Sequence, residues 1–112
     1  MWYSMLIAID EREDLARYLY LDTTAGQVVI LFQDKEKLRV IARSVLNLKL
    51  APGESMQVMD VDVSSIEEAA REIRENDPLL RDAIVLTDSD PFVTRLVVSL
   101  RPEGFKRRMR PK

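Results

Sequence analysis

Short apolar runs alternate along the chain with two stretches in which apolar residues recur every three or four positions, and this pattern predicts a mixed α+β domain. The first run is Trp2-Tyr3-Ser4-Met5-Leu6-Ile7-Ala8-Ile9, closed by the charged turn Asp10-Glu11-Arg12-Glu13-Asp14. Residues 17–22 predict a second strand, with Tyr18 and Tyr20 on one face and Leu19 and Leu21 on the other. Thr23-Thr24-Ala25-Gly26 supplies a turn in which Gly26 can take a positive φ. Val28-Val29-Ile30-Leu31-Phe32 follows, apolar on both faces, and predicts a central strand covered on both sides and paired with its predecessor as a hairpin.

The helical periods come next. Asp34 is an N-cap residue, and Leu38, Ile41, Ala42, Val45 and Leu48 lie on one face of a helix spanning roughly 34–50. Lys35, Arg39 and Arg43 occupy the opposite face, and Ala51-Pro52-Gly53 stops the element. Residues 56–63 predict a strand. Ser64 or Ser65, with Glu67 or Glu68, then caps a second helix to residue 76 whose apolar stripe is Ile66, Ala69, Ala70 and Ile73. Ala83-Ile84-Val85-Leu86-Thr87 predicts another strand with two apolar faces, and Asp88-Ser89-Asp90-Pro91 a turn. The alternation in residues 93–101 predicts a last strand nearer an edge. The expected architecture is one α+β domain in the order β-β-β-α-β-α-β-β, a mixed five- or six-stranded sheet with two helices on one face. That arrangement leaves the apolar strands at 28–32 and 83–87 incompletely covered on the other side, which suggests self-association.

Composition narrows the possibilities. A chain of 112 residues with 46 % hydrophobic and 32 % charged residues fits a single globular domain. With no histidine and no cysteine, it lacks the commonest general base near neutral pH, the thiolate nucleophile and the usual zinc ligands. The absence of cysteine also makes a cytoplasmic home the expectation. The leading apolar run carries no Lys or Arg before it and is too short to span a bilayer, so neither a signal peptide nor a membrane partner is expected.

The net charge of −2 hides an asymmetry. Lys106, Arg107, Arg108, Arg110 and Lys112 lie within the last seven residues, whereas residues 1–105 carry 12 basic and 19 acidic groups, net −7. The reading is a domain over 1–105 with a flexible basic tail over 106–112, suited to docking on an acidic partner or to neutralising phosphates beside Phe105.

Candidate chemistry rests on carboxylates. Asp60 and Asp62 project to one face at the end of a strand, and Asp88 and Asp90 follow another strand. If both strands ended at one sheet edge, the four would form a hard-cation site for Mg²⁺ or Ca²⁺; as separate residues they are helix caps and turn formers. Asp60-Val61-Asp62-Val63-Ser64 resembles the nucleophile motif of haloacid-dehalogenase-like phosphatases. That family requires a much longer chain, a later Lys and a further acidic pair, and 112 residues exclude it. The three glycines, Gly26, Gly53 and Gly104, form no phosphate-binding loop, and no cofactor is expected. Trp2, Tyr3, Tyr18 and Tyr20 mark either core packing or an interface. These features favour a non-catalytic interaction or regulatory module that self-associates as a homodimer. The alternatives are a nucleic-acid-associated accessory protein using the tail and a small divalent-cation-dependent carboxylate enzyme.

Overall fold

The structure is a computed structural model and describes residues 1–100. Its strands are β1 (Trp2–Asp10), β2 (Leu15–Tyr18), β3 (Leu21–Thr23), β4 (Gly26–Leu31), β5 (Glu54–Asp62) and β6 (Ile84–Thr87). The helices are α1 (Lys35–Ser44), α2 (Ile66–Asn76) and α3 (Pro91–Leu100), with short 3₁₀ turns at Leu46–Lys49 and Pro78–Leu80. The predicted α+β class holds, built as two three-stranded sheets, β2-β1-β5 and β3-β4-β6.

These sheets meet edge to edge. Ser4 of β1 and Phe32, just after β4, exchange backbone hydrogen bonds of 2.7 and 2.8 Å, and the Leu19 amide donates to the Leu6 carbonyl at 3.1 Å. The segment carrying β2 and β3 therefore leaves β1 at residues 19–20 and crosses to β4, so the strand predicted over 17–22 is broken in its middle. Read across, the order is β5-β1-(β2/β3)-β4-β6, antiparallel except for the parallel β4–β6 pair. The predicted hairpin forms between β3 and β4, and Gly26 at φ +121° closes its turn.

Both faces of this sheet are covered. Leu6, Ala8, Leu19, Leu21, Val28, Ile30 and Phe32 pack against Leu38 and Ile41 of α1 and Val93 and Val97 of α3. On the opposite face, Tyr3, Met5, Val29 and Leu31 pack against Ala69 and Ile73 of α2. The expectation of two helices on one face is thus corrected: the crossovers carry α1 and α2 to opposite faces, and a third helix joins α1. β4 is the doubly buried strand its sequence predicts. β6 instead lies at a margin and is only partly buried.

The third helix is the larger correction. The strand predicted over 93–101 is, in its described residues 93–100, part of α3. Its β-branched residues mimic an edge strand, but Asp90 caps the helix by accepting from the Phe92 amide at 2.9 Å, and Pro91 takes the first helical position. Phe92, Val93, Leu96, Val97 and Leu100 then form a 3.6-residue stripe on the α1 side. The first helix also ends earlier than residue 50, at Ser44, followed by the 3₁₀ turn. Ser65 is the cap of α2, accepting from the Glu68 amide at 3.1 Å. The boundary at residue 105 and the basic tail lie outside the described residues. Among the described residues, no helix is long and apolar enough to cross a membrane.

Candidate interaction surface

β5 ends the sheet. It pairs with β1 over its whole length, from Glu54 opposite Asp10 to Asp62 opposite Trp2. The Val63 amide donates to the Met1 carbonyl at 2.9 Å, so the odd-numbered residues of β5 turn their backbone groups toward β1. By the same alternation, Met56, Val58, Asp60 and Asp62 turn their N–H and C=O groups outward, where no described strand meets them. The pleat sorts the side chains as well. Met56, Val58, Asp60 and Asp62 stand on the α1 side, and Gln57, Met59 and Val61 on the α2 side.

The α1 side of this edge is acidic. The Ser4 hydroxyl donates to Asp60 at 2.6 Å and accepts from Lys35 Nζ at 2.9 Å, with Lys35 itself 3.5 Å from Asp60. The Ser4 hydrogen bond first, and the Lys35 charge second, hold the Asp60 carboxyl below its ordinary range. A carboxylate so stabilised is a weak base, and an ammonium donating to the serine oxygen withdraws its electron density. The trio is therefore a clasp between β1, β5 and α1 rather than an activated nucleophile. Asp62 lies 3.0 Å from the Met1 amino group. The side chains of Asp60 and Asp62 remain 62 % and 57 % exposed, so both can accept further donors. Beside them Trp2 is 66 % exposed and lines, with Phe32 and Lys35, a shallow cavity of about 270 Å³.

The α2 side is more apolar. A groove of about 390 Å³ opens past the end of α2, lined by Ile7, Tyr18, Met59 and Leu79, with the charged Arg17 and Asp77 also on its wall. Leu79, held out by the 3₁₀ turn after α2, is 76 % exposed.

At the entry to β5, Glu54 accepts from Arg17 Nε at 2.8 Å and Nη2 at 2.7 Å, and from the Ala51 amide at 2.7 Å. Arg17 Nη2 also donates to the Lys49 carbonyl at 2.8 Å. This clamp spans β1 at Ala8 and depresses the Glu54 pKa to about 2, chiefly through the Arg17 hydrogen bonds.

The structure separates the four candidate metal-binding aspartates. Asp60 and Asp62 sit on β5 at one margin of the sheet, while Asp88 and Asp90 follow β6 at the other. Buried Asp88 accepts from the Gln33 and Asp34 amides at 2.9 and 2.7 Å, so it ties the start of α1 to the end of β6. Asp90 caps α3. Among the described residues, no three acidic side chains come together as a metal site. Of the aromatic candidates, Tyr3 is buried, and Tyr18 and Tyr20 pack against the α2-side core. Trp2 alone of these four is largely exposed. The candidate contacts Lys106, Arg107, Arg108, Arg110 and Lys112 lie outside the described residues.

Sequence reasoning missed Ser4, Lys35, Arg17 and Glu54. Their pairings join positions 31 to 56 residues apart, and only the strand register brings them together. No protein-family model, curated protein or solved structure matches the chain.

Proposed function

We propose that the protein is a non-catalytic interaction module whose working surface is the outer edge of β5. The observation that carries this reading is a nine-residue strand at the margin of the sheet in which the outward backbone groups of Met56, Val58, Asp60 and Asp62 meet no strand among the described residues. An edge of this kind accepts an extended segment as an added strand: main-chain hydrogen bonds give affinity, and the side chains on either face give selectivity. Here selectivity favours a segment with basic residues on the face shared with Asp60 and Asp62 and apolar residues on the face shared with Met59. The engagement of Asp60, Asp88 and Asp90 in structural hydrogen bonds argues against the carboxylate-enzyme alternative.

Peptide display provides the test. Nonapeptides selected on the full chain are expected to alternate basic and apolar residues, and to lose binding to V58P. Proline there removes an outward N–H and leaves the β1 ladder its bonds. Binders that hold V58P as well as the parent chain, with the variant's circular dichroism unchanged, would refute the reading.

A further inference from the structure

We infer that the occupant of this edge is residues 105–110 of a second copy of the chain, exchanged reciprocally so that two copies close a dimer. The inference rests on the reading of β5 as a docking edge. Its own support comes from parity and from charge.

In the segment Phe105-Lys106-Arg107-Arg108-Met109-Arg110 the even positions, Lys106, Arg108 and Arg110, are all basic, and the odd positions hold two apolar residues, Phe105 and Met109, on either side of Arg107. In an added strand, side chains opposite Asp60 and Asp62 share their face, and those opposite Met59 and Val61 share the other. One antiparallel register sets Lys106 against Asp62, Arg108 against Asp60 and Met109 against Met59. It places every basic residue of the even set on the acidic side and Met109 beside the apolar groove. A second copy of β5 fits less well. Two β5 strands paired about Val58 would set Glu54 against Asp62 and Asp60 against Met56, so carboxylates would face one another or an apolar side chain.

Reach decides between the chain's own segment and that of another copy. α3 follows β6, at the margin of the sheet opposite β5. Residues 101–105 span ~17 Å at full extension. Where β1 meets β4 directly, at Ser4 and Phe32, four strand spacings from β6 to a strand beyond β5 still come to ~19 Å. A second copy has no such constraint, and two-fold exchange satisfies both edges at once.

Sedimentation velocity on the full chain and its point variants, across a wide concentration range, tests the inference. R107E and R108E change net charge identically but fall on opposite faces of the added strand. R108E is expected to weaken the dimer about tenfold or more, and R107E by no more than about threefold. D62K is expected to weaken it as R108E does, and D62K/K106E to restore it. Equal losses in R107E and R108E would reduce the attraction to diffuse charge and overturn the inference, as would a dimer indifferent to both. A monomer in which the basic residues still slow amide exchange of β5 would assign the edge to the chain's own segment and also overturn it. If the chain is monomeric yet selected peptides still require the Val58 edge, this inference fails and the docking edge stands. If those peptides do not require it, both fall.

Discussion

Replacing Glu54 by Gln removes the charge from the clamp that joins β2, β5 and the end of the α1 segment. Glu54 uses two carboxylate oxygens for three donors, Arg17 Nε, Arg17 Nη2 and the Ala51 amide, at 2.7 to 2.8 Å. The glutamine oxygen can keep two of them, and its NH₂ then faces a donor. Hydrogen bonds to charged partners are worth ~1.5–3 kcal/mol each in protected sites. The Glu54 side chain is only 12 % exposed, but Arg17 is 36 % exposed, and water screens that half of the pair. We expect E54Q to lose ~1–2 kcal/mol in urea unfolding at neutral pH, or roughly 4–8 °C in Tm. The pH dependence has a definite sign. With its folded pKa at about 2 against an ordinary 4.5, Glu54 stabilises the fold fully above its unfolded value. That contribution is lost as pH falls from there toward 2. The parent's advantage over E54Q should therefore shrink steadily across this acid window, and a double-mutant cycle with Arg17→Met should return most of the loss as coupling. An E54Q variant as stable as the parent at neutral pH, or an advantage that persists unchanged into acid, would refute the reasoning.

Other perturbations follow from the same geometry. Asp88→Ala takes the carboxylate acceptor from the Gln33 and Asp34 amides at the head of α1 and should cost ~1.5–3 kcal/mol in chemical denaturation. Phe32→Ala empties the position where β1 and β4 meet and should cost ~3–5 kcal/mol, a large share of the ~5–15 kcal/mol that holds a domain of this size together, read as a lowered midpoint in chemical denaturation. Ser4→Ala removes the hydroxyl between Lys35 and Asp60; carboxyl titration by NMR should then show the Asp60 pKa rising toward its ordinary value.

The sequence and the structure agree where one signal dominates locally. Val28-Val29-Ile30-Leu31-Phe32 reads as a doubly buried strand because no polar residue interrupts it, and β4 is buried on both faces. Asp34 and Ser65 cap α1 and α2 because their side chains satisfy amides two and three residues away, a purely local matter. Agreement fails where two local signals compete. Residues 93–101 hold enough Val and Thr to read as a strand, and Asp90-Pro91 before them is a turn signal and a helix start at once; packing against α1 decides for the helix. The placement of α1 and α2 on opposite faces, and the retreat of β5 to the margin, follow from crossovers that no local pattern encodes. The alternation of 56–63 predicts a strand but not which edge of it stays bare, and that edge is the candidate site.

Site-resolved amide exchange by NMR tests the edge most directly, comparing the outward amides of Val58 and Asp60 with the inward amides of Met59 and Val61. The account predicts that the inward pair is protected at every protein concentration. The outward pair should exchange fast in dilute solution and slow as concentration rises, with R108E moving the change to about tenfold higher concentration or beyond. Outward amides that exchange at the same fast rate throughout, and stay fast when an alternating basic and apolar peptide is added, would contradict the claim that β5 is a docking edge.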